Sequence, residues 1–98
     1  DADPLPDLPS PAEAALAERL GPEGIRAIDE AILHASAERF LKVARIVLDS
    51  LKAVGSSYAD EPSVHLHVRR VIALTNADLL DGQGNLHEPR WGEVRRRL

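Results

Sequence analysis

The sequence predicts a mainly α-helical domain that closes on a small C-terminal β-hairpin. Three observations carry this. Apolar residues recur at three- and four-residue spacing through two long stretches, before Gly55 and again after Pro62. Helix punctuation is dense, with Ser10-Pro11, Gly21-Pro22, Gly55-Ser56-Ser57 and Pro62 at the joints. Residues 79–98 then abandon the helical period for turn pairs and an alternating end.

Residues 1–9, Asp-Ala-Asp-Pro-Leu-Pro-Asp-Leu-Pro, carry three prolines and three aspartates and read as a flexible, extended arm. The first helix is announced by Ser10 as N-cap, Pro11 as first helical residue and Glu13 as capping-box partner, with Gly21 as its stop. Ala12, Leu16 and Leu20 form a narrow apolar stripe. Pro22 opens a second helix whose buried face is Ile25, Ile28, Ile32 and Ala35. Ser36 either caps a third helix or is passed over by a continuous one.

Residues 38–54 are expected to be helical. Glu38, Lys42, Arg45, Asp49 and Lys52 make the polar stripe; Phe40, Val43, Ala44, Val47, Leu48, Leu51 and Val54 make the buried one. Glu38 and Lys42, at i,i+4, add a few tenths of a kcal/mol, roughly. After the break at Gly55, two readings compete for the segment from Pro62. Val64-His65-Leu66-His67-Val68 alternates like a strand. The longer period of Val64, Val68, Val71, Ile72, Thr75 and Leu79 favours a helix over 62–80, whose outer face is Leu66, Arg69, Arg70, Ala73 and Ala77. Asp81-Gly82 and Gly84-Asn85 are turn pairs, and Pro89 is a further breaker, so a hairpin over 79–98 follows.

The expected architecture is therefore one domain, 10–98, behind an arm, 1–9. Helices followed by a hairpin make a winged-helix-like layout, with 62–80 in the place of the recognition helix and 79–98 as the wing. Seven connecting residues exceed the three or four usual in a helix-turn-helix.

Composition narrows the function. The chain has 98 residues, one domain's worth, and 44% of them are apolar. Phe40, Tyr58 and Trp91 are its only aromatics, so the core must be aliphatic. It has no cysteine, which excludes disulfides and fits a reducing, cytoplasmic compartment. No apolar run nears the roughly 20 residues that span a bilayer, and no secretory signal is present. An opening on Asp1 is expected of a processed chain or a piece of a longer one. The net charge of −4 is uneven: residues 1–62 hold 6 Lys+Arg against 12 Asp+Glu, whereas 63–98 hold 6 against 4, with three of the four histidines. Such a basic back half suits an anionic partner, or simply complements the acidic front.

The helices 38–54 and 62–80, the stretch Leu79-Leu80-Asp81-Gly82-Gln83-Gly84-Asn85 and the close Arg90-Trp91-Gly92-Glu93-Val94-Arg95 resemble a small bacterial family of unknown function. Its members look like a winged helix and end on arginine, aromatic, any residue, Glu-Val-Arg. The resemblance covers roughly residues 24–96. It implies a cytoplasmic bacterial module, often attached to other domains, and brings no catalytic residues.

Chemistry-bearing patterns are few. His65-x-His67 would share a side on a strand and bind zinc with His87 or Glu88, but on a helix the rings diverge by about 200°, as each residue advances about 100°. No metal and no cofactor are expected. The carboxylate pairs Asp29-Glu30, Asp60-Glu61 and Asp81 with Glu88 lie in polar contexts and read as surface charges or caps. Ser36, Ser56 and Ser57 lack a nucleophile-elbow context, and Gly82-Gln83-Gly84 precedes no helix, so neither an enzyme, a small-molecule substrate nor a nucleotide site is indicated.

Two functions from different classes follow. In the first, Ser63, His65, His67, Arg69 and Arg70 of helix 62–80 face a DNA groove while Arg90, Arg95 and Arg96 of the wing hold phosphates. In the second, Leu66, Ala73, Ala77 and Trp91 form an interaction face for a second copy of the chain, an upstream domain or another protein, without nucleic-acid binding. Trp91 is expected to pack the wing onto the body. In Glu93-Val94-Arg95 the strand period turns Val94 inward, so that Glu93 and Arg95 share the outer side and pair across the hairpin.

Overall fold

The computed structural model describes residues 4–97. It is mainly helical, with α1 at Pro11–Ala35, α2 at Val43–Ala53 and α3 at Glu61–Asn76. A small antiparallel sheet of β1 (Leu41–Lys42), β2 (Leu80–Gln83) and β3 (Glu93–Arg96) has the order β1-β3-β2.

Helix α1 starts as its sequence dictates: Ser10 Oγ accepts the Glu13 N–H at 3.1 Å, and Pro11 occupies the first turn. Gly21 does not end the helix but bends it. Its φ of 67° and ψ of −177° are non-helical, and two helical segments, 11–20 and 22–35, meet there. Only glycine adopts that backbone without strain, and Pro22 starts the second segment at no cost in hydrogen bonds. Ser36 closes α1 rather than opening the next helix, its N–H and Oγ both donating to the Ile32 carbonyl.

The expected helix over 38–54 begins five residues late. Leu41 and Lys42 are extended and pair with Val94 and Glu93 of β3, so the hairpin is tied to the helical body by a third strand. Phe40 consequently leaves the buried stripe and lies half-buried beneath the Arg95 guanidinium, 4.6 Å from its ring centroid. Lys42 offers α2 no side-chain cap. The loop before β3 supplies it instead: Gly92 O accepts from Val43 N–H at 2.9 Å and Pro89 O from Ala44 N–H at 3.0 Å.

Helix α3 is a helix, but it stops at Asn76, short of the expected 80. Asp78 turns the chain with φ 64°, which leaves Leu79 half exposed and sends Leu80 into β2, fully buried. Asp81 and Gly82 lie within β2, not in a turn; residues 84–92 make the connection. There Asn85 Oδ1 accepts from His87 N–H, and Glu88 O accepts from both Trp91 and Gly92 N–H.

The core is aliphatic throughout. Ile28 and Ile32 of α1, Val43, Ile46, Val47 and Leu51 of α2, and Leu66, Val68, Val71 and Leu74 of α3 meet over Leu41, Leu80 and Val94 of the sheet. The opposite face of the sheet is polar. Register places Lys42, Glu93 and Gln83 side by side across three strands, and Arg95 opposite Asp81. Glu93 takes hydrogen bonds from Gln83 and Lys42, and these hold its carboxyl below the usual range. Val94 points inward with no exposure, as the strand period requires.

The arm differs most from expectation. From Pro4 onward it meets the body through the buried Leu5 and the Pro6 and Asp7 carbonyls, while its other side chains are exposed. Leu5 is buried in the core cluster and donates its N–H to His87 O at 2.7 Å. The remaining three residues of the expected arm, 1–3, lie outside the described ones.

Candidate functional site

The cations expected to read an anionic ligand are engaged within the protein. Arg69 Nε donates to Glu13 Oε2 at 2.6 Å and Nη2 to Oε1 at 3.2 Å. The same guanidinium donates to the Pro6 and Asp7 carbonyls of the arm, at 3.1 and 3.2 Å. Arg70 grips Asp29 in a two-pronged pair, both contacts at 2.9 Å. The hydrogen bonds that Arg70 donates to Asp29 raise its pKa above the ordinary value. The outer face predicted for α3 is therefore largely covered by α1 and the arm.

The other residues of that set separate. Ser63 is buried and donates to Asp60 Oδ2. His65 is half-buried beside Pro4, Leu5 and Pro6. His67 is 1% exposed, and its Nδ1 lies 2.7 Å from Ser50 Oγ of α2. Burial lowers its pKa to about 4, so the ring is neutral near pH 7. The two histidines thus meet different neighbours. Among the described residues no group of three or more His, Cys, Asp or Glu side chains is placed to hold a metal ion.

The arginines of the expected wing lie at the surface. Arg95 is 3.4 Å from Asp81, and Arg97 is 3.2 Å from Asp78 and 3.6 Å from Asp81. Arg96 is exposed and makes no ion pair among the described residues. Arg90 is exposed against Trp91, its guanidinium 5.6 Å from the ring centroid, with Lys42 Nζ at 5.9 Å. Trp91 does not pack the wing onto the body as expected, for it is 64% exposed. Backbone capping of α2 by Pro89 and Gly92 performs that task.

The predicted interaction face does not form one surface. Leu66 is buried against α1, Ala73 is half-buried and Ala77 is exposed. An apolar concavity lies elsewhere, between α2, the start of α3 and the loop at Pro89. One end is lined by Pro4, Leu5 and Pro6 of the arm, the other by Ala44, Leu48 and Leu51 of α2; Tyr58, Val64, Val68 and Pro89 belong to both. The α2 end has a volume of about 330 Å³, and Tyr58 stands 74% exposed beside it.

Sequence reasoning missed Glu13, Asp29, Ser50 and Leu5. Glu13 signalled a helix start, and its N–H does bond Ser10, but its carboxylate turns away to Arg69 and is 1% exposed. A buried acid on the Leu16–Leu20 side of α1 facing an arginine 56 positions on has no local signature.

Comparison with protein-family models, with curated proteins and with solved structures gives no match. No helix among the described residues is long and apolar enough to cross a membrane.

Proposed function

We propose that this chain is a winged-helix-like protein-interaction module of the cytoplasm, and that α3 does not read nucleic acid. One observation carries the reading: Arg69 and Arg70 are each held by an acidic residue of α1, and Arg69 also by the arm. Freeing them would require breaking charge-assisted pairs that a phosphate contact only replaces. The winged-helix element of the reading rests on the strand before α2 and the central place of β3, which dock a hairpin on a three-helix body.

The binding surface is the groove beside Tyr58. Pro4, Leu5 and Pro6 of the arm form one wall of it, held to the body by the buried Leu5 side chain and one backbone hydrogen bond to His87. The α2 end offers the same apolar chemistry, so the partner is an extended, proline-rich apolar segment of another protein. Proline restricts such a segment before binding and lowers the entropy lost on docking.

The competing reading, nucleic acid held by the wing, draws on exposed Arg96. Asp78, Asp81 and Glu38 share that surface and offset its charge. The two readings separate in one titration series with the full chain. A labelled Pro-Leu-Pro-Asp-Leu-Pro peptide is expected to bind saturably and to lose binding on Leu48→Asp. Equal binding by that variant would remove the groove from the account.

A further inference from the structure

A second concavity opens on the other face of α3, where the two segments of α1 meet at Gly21. Leu16, Leu20, Ile28, Val54 and Leu66 give it an apolar wall, and its volume is about 210 Å³. An apolar cavity of about 150 Å³ is enough to hold benzene. Leu20 is 40% exposed and Ala27 is exposed, so the mouth lies on the outer side of the α1 bend.

His67 also lines this cavity. Of the other polar wall residues, Ser63 has its hydroxyl committed to Asp60, and Ser56 sits exposed. The hydrogen count at His67 fixes what the ring can do. A serine hydroxyl has one hydrogen, and Ser50 gives it to Val47 O at 3.0 Å. With that hydrogen on Val47 O, Ser50 Oγ accepts from His67 Nδ1–H at 2.7 Å, and the neutral ring then carries no hydrogen on Nε2. Among the described residues Nε2 has no hydrogen-bond partner. Among the described residues no side-chain nitrogen or oxygen is both enclosed and unpartnered, so Nε2 keeps some exposure, and the cavity is an open space that His67 lines.

We infer that this cavity is a binding site for a small neutral molecule with a single-ring or branched apolar body and one O–H group, which donates to His67 Nε2. The body leaves water for the leucine and isoleucine wall, and the hydroxyl takes the His67 ring nitrogen as its acceptor. A charged ligand is disfavoured, since nothing on the wall compensates its desolvation. The site is independent of the groove beside Tyr58, which uses Val64, His65 and Val68 rather than Ser63, Leu66 and His67.

The test titrates phenol, toluene and anisole into the isotope-labelled full chain, followed by NMR. Phenol is expected to bind saturably and no more weakly than toluene, although water solvates phenol better. It should shift the methyl signals of Leu16, Leu20 and Leu66 and the Nε2 signal of His67. Anisole, the same ring with no hydrogen to donate, is expected to bind about five-fold more weakly than phenol. His67→Phe should remove that preference and keep toluene binding, while Ala27→Leu, at the exposed mouth, should block all three. Should His67→Phe not fold, the Nε2 signal of the native protein decides, since it must move with phenol and stay with toluene. Tighter binding of toluene than phenol, equal binding of anisole, or no saturable binding would each overturn the assignment.

Discussion

Arg69 and Glu13 make the contact on which most else depends. The Glu13 side chain is 2% exposed and that of Arg69 22%, so removing the cation strands a carboxylate away from water. Arg69→Leu is expected to cost about 3–5 kcal/mol in urea unfolding. Arg97→Ala, which removes a pair whose side chains are 52% and 77% exposed, should change stability by less than about 0.5 kcal/mol. His67 predicts a pH dependence. Burial lowers the pKa of the folded ring to about 4 from its ordinary 6.5, so the unfolded chain binds more protons between these values. Stability is then fully present above pH 6.5 and falls by about 3 kcal/mol as pH drops toward 4. Comparing the pH profiles of the native chain and His67→Leu isolates this loss. The depressed Glu93 carboxyl adds its own loss at lower pH, as the solution falls through its folded pKa.

At the scale of elements, the connection 84–92 does two jobs that its composition concealed. It ends the sheet, and it caps α2 through the Pro89 and Gly92 carbonyls. A Cβ on Gly92 would stand 2.7 Å from Asn85 O and 2.9 Å from Leu86 Cα, both backbone atoms that cannot step aside cheaply. Gly92→Ala is therefore expected to destabilise the protein by about 1–3 kcal/mol and to weaken amide protection at Val43 and Ala44, read by hydrogen exchange. The helices themselves were legible because Ser10, Pro11, Pro22 and Pro62 mark their starts by local chemistry. Strand β1 was not. Two residues are too few for a period, and Leu41-Lys42 continue a helical pattern until pairing with β3 overrides it.

Across the whole molecule, the acidic front and basic back proved to be partners. Glu13 and Asp29 of α1 answer Arg69 and Arg70 of α3, so these two arginines of the basic half are engaged internally. That pairing was one of two readings open at the sequence level, because charge counts carry no distances. The arm was misjudged for a related reason: proline and aspartate favour an extended chain, but they do not reveal that Leu5 has a pocket waiting. Leu5→Asp should cost about 2–3 kcal/mol, the burial of one leucine. It should also raise binding of apolar dyes, because the arm end of the groove is uncovered.

The central claim is that α3 has no free cationic face. Its most direct test is fluorescence anisotropy of a labelled mixed-sequence duplex, DNA and then RNA, titrated with the full chain at about 50 mM salt, where counterion release most favours binding. The account predicts no change in anisotropy for either duplex. Saturable binding that Arg69→Leu or Arg70→Leu abolishes, while the fold persists, would contradict it.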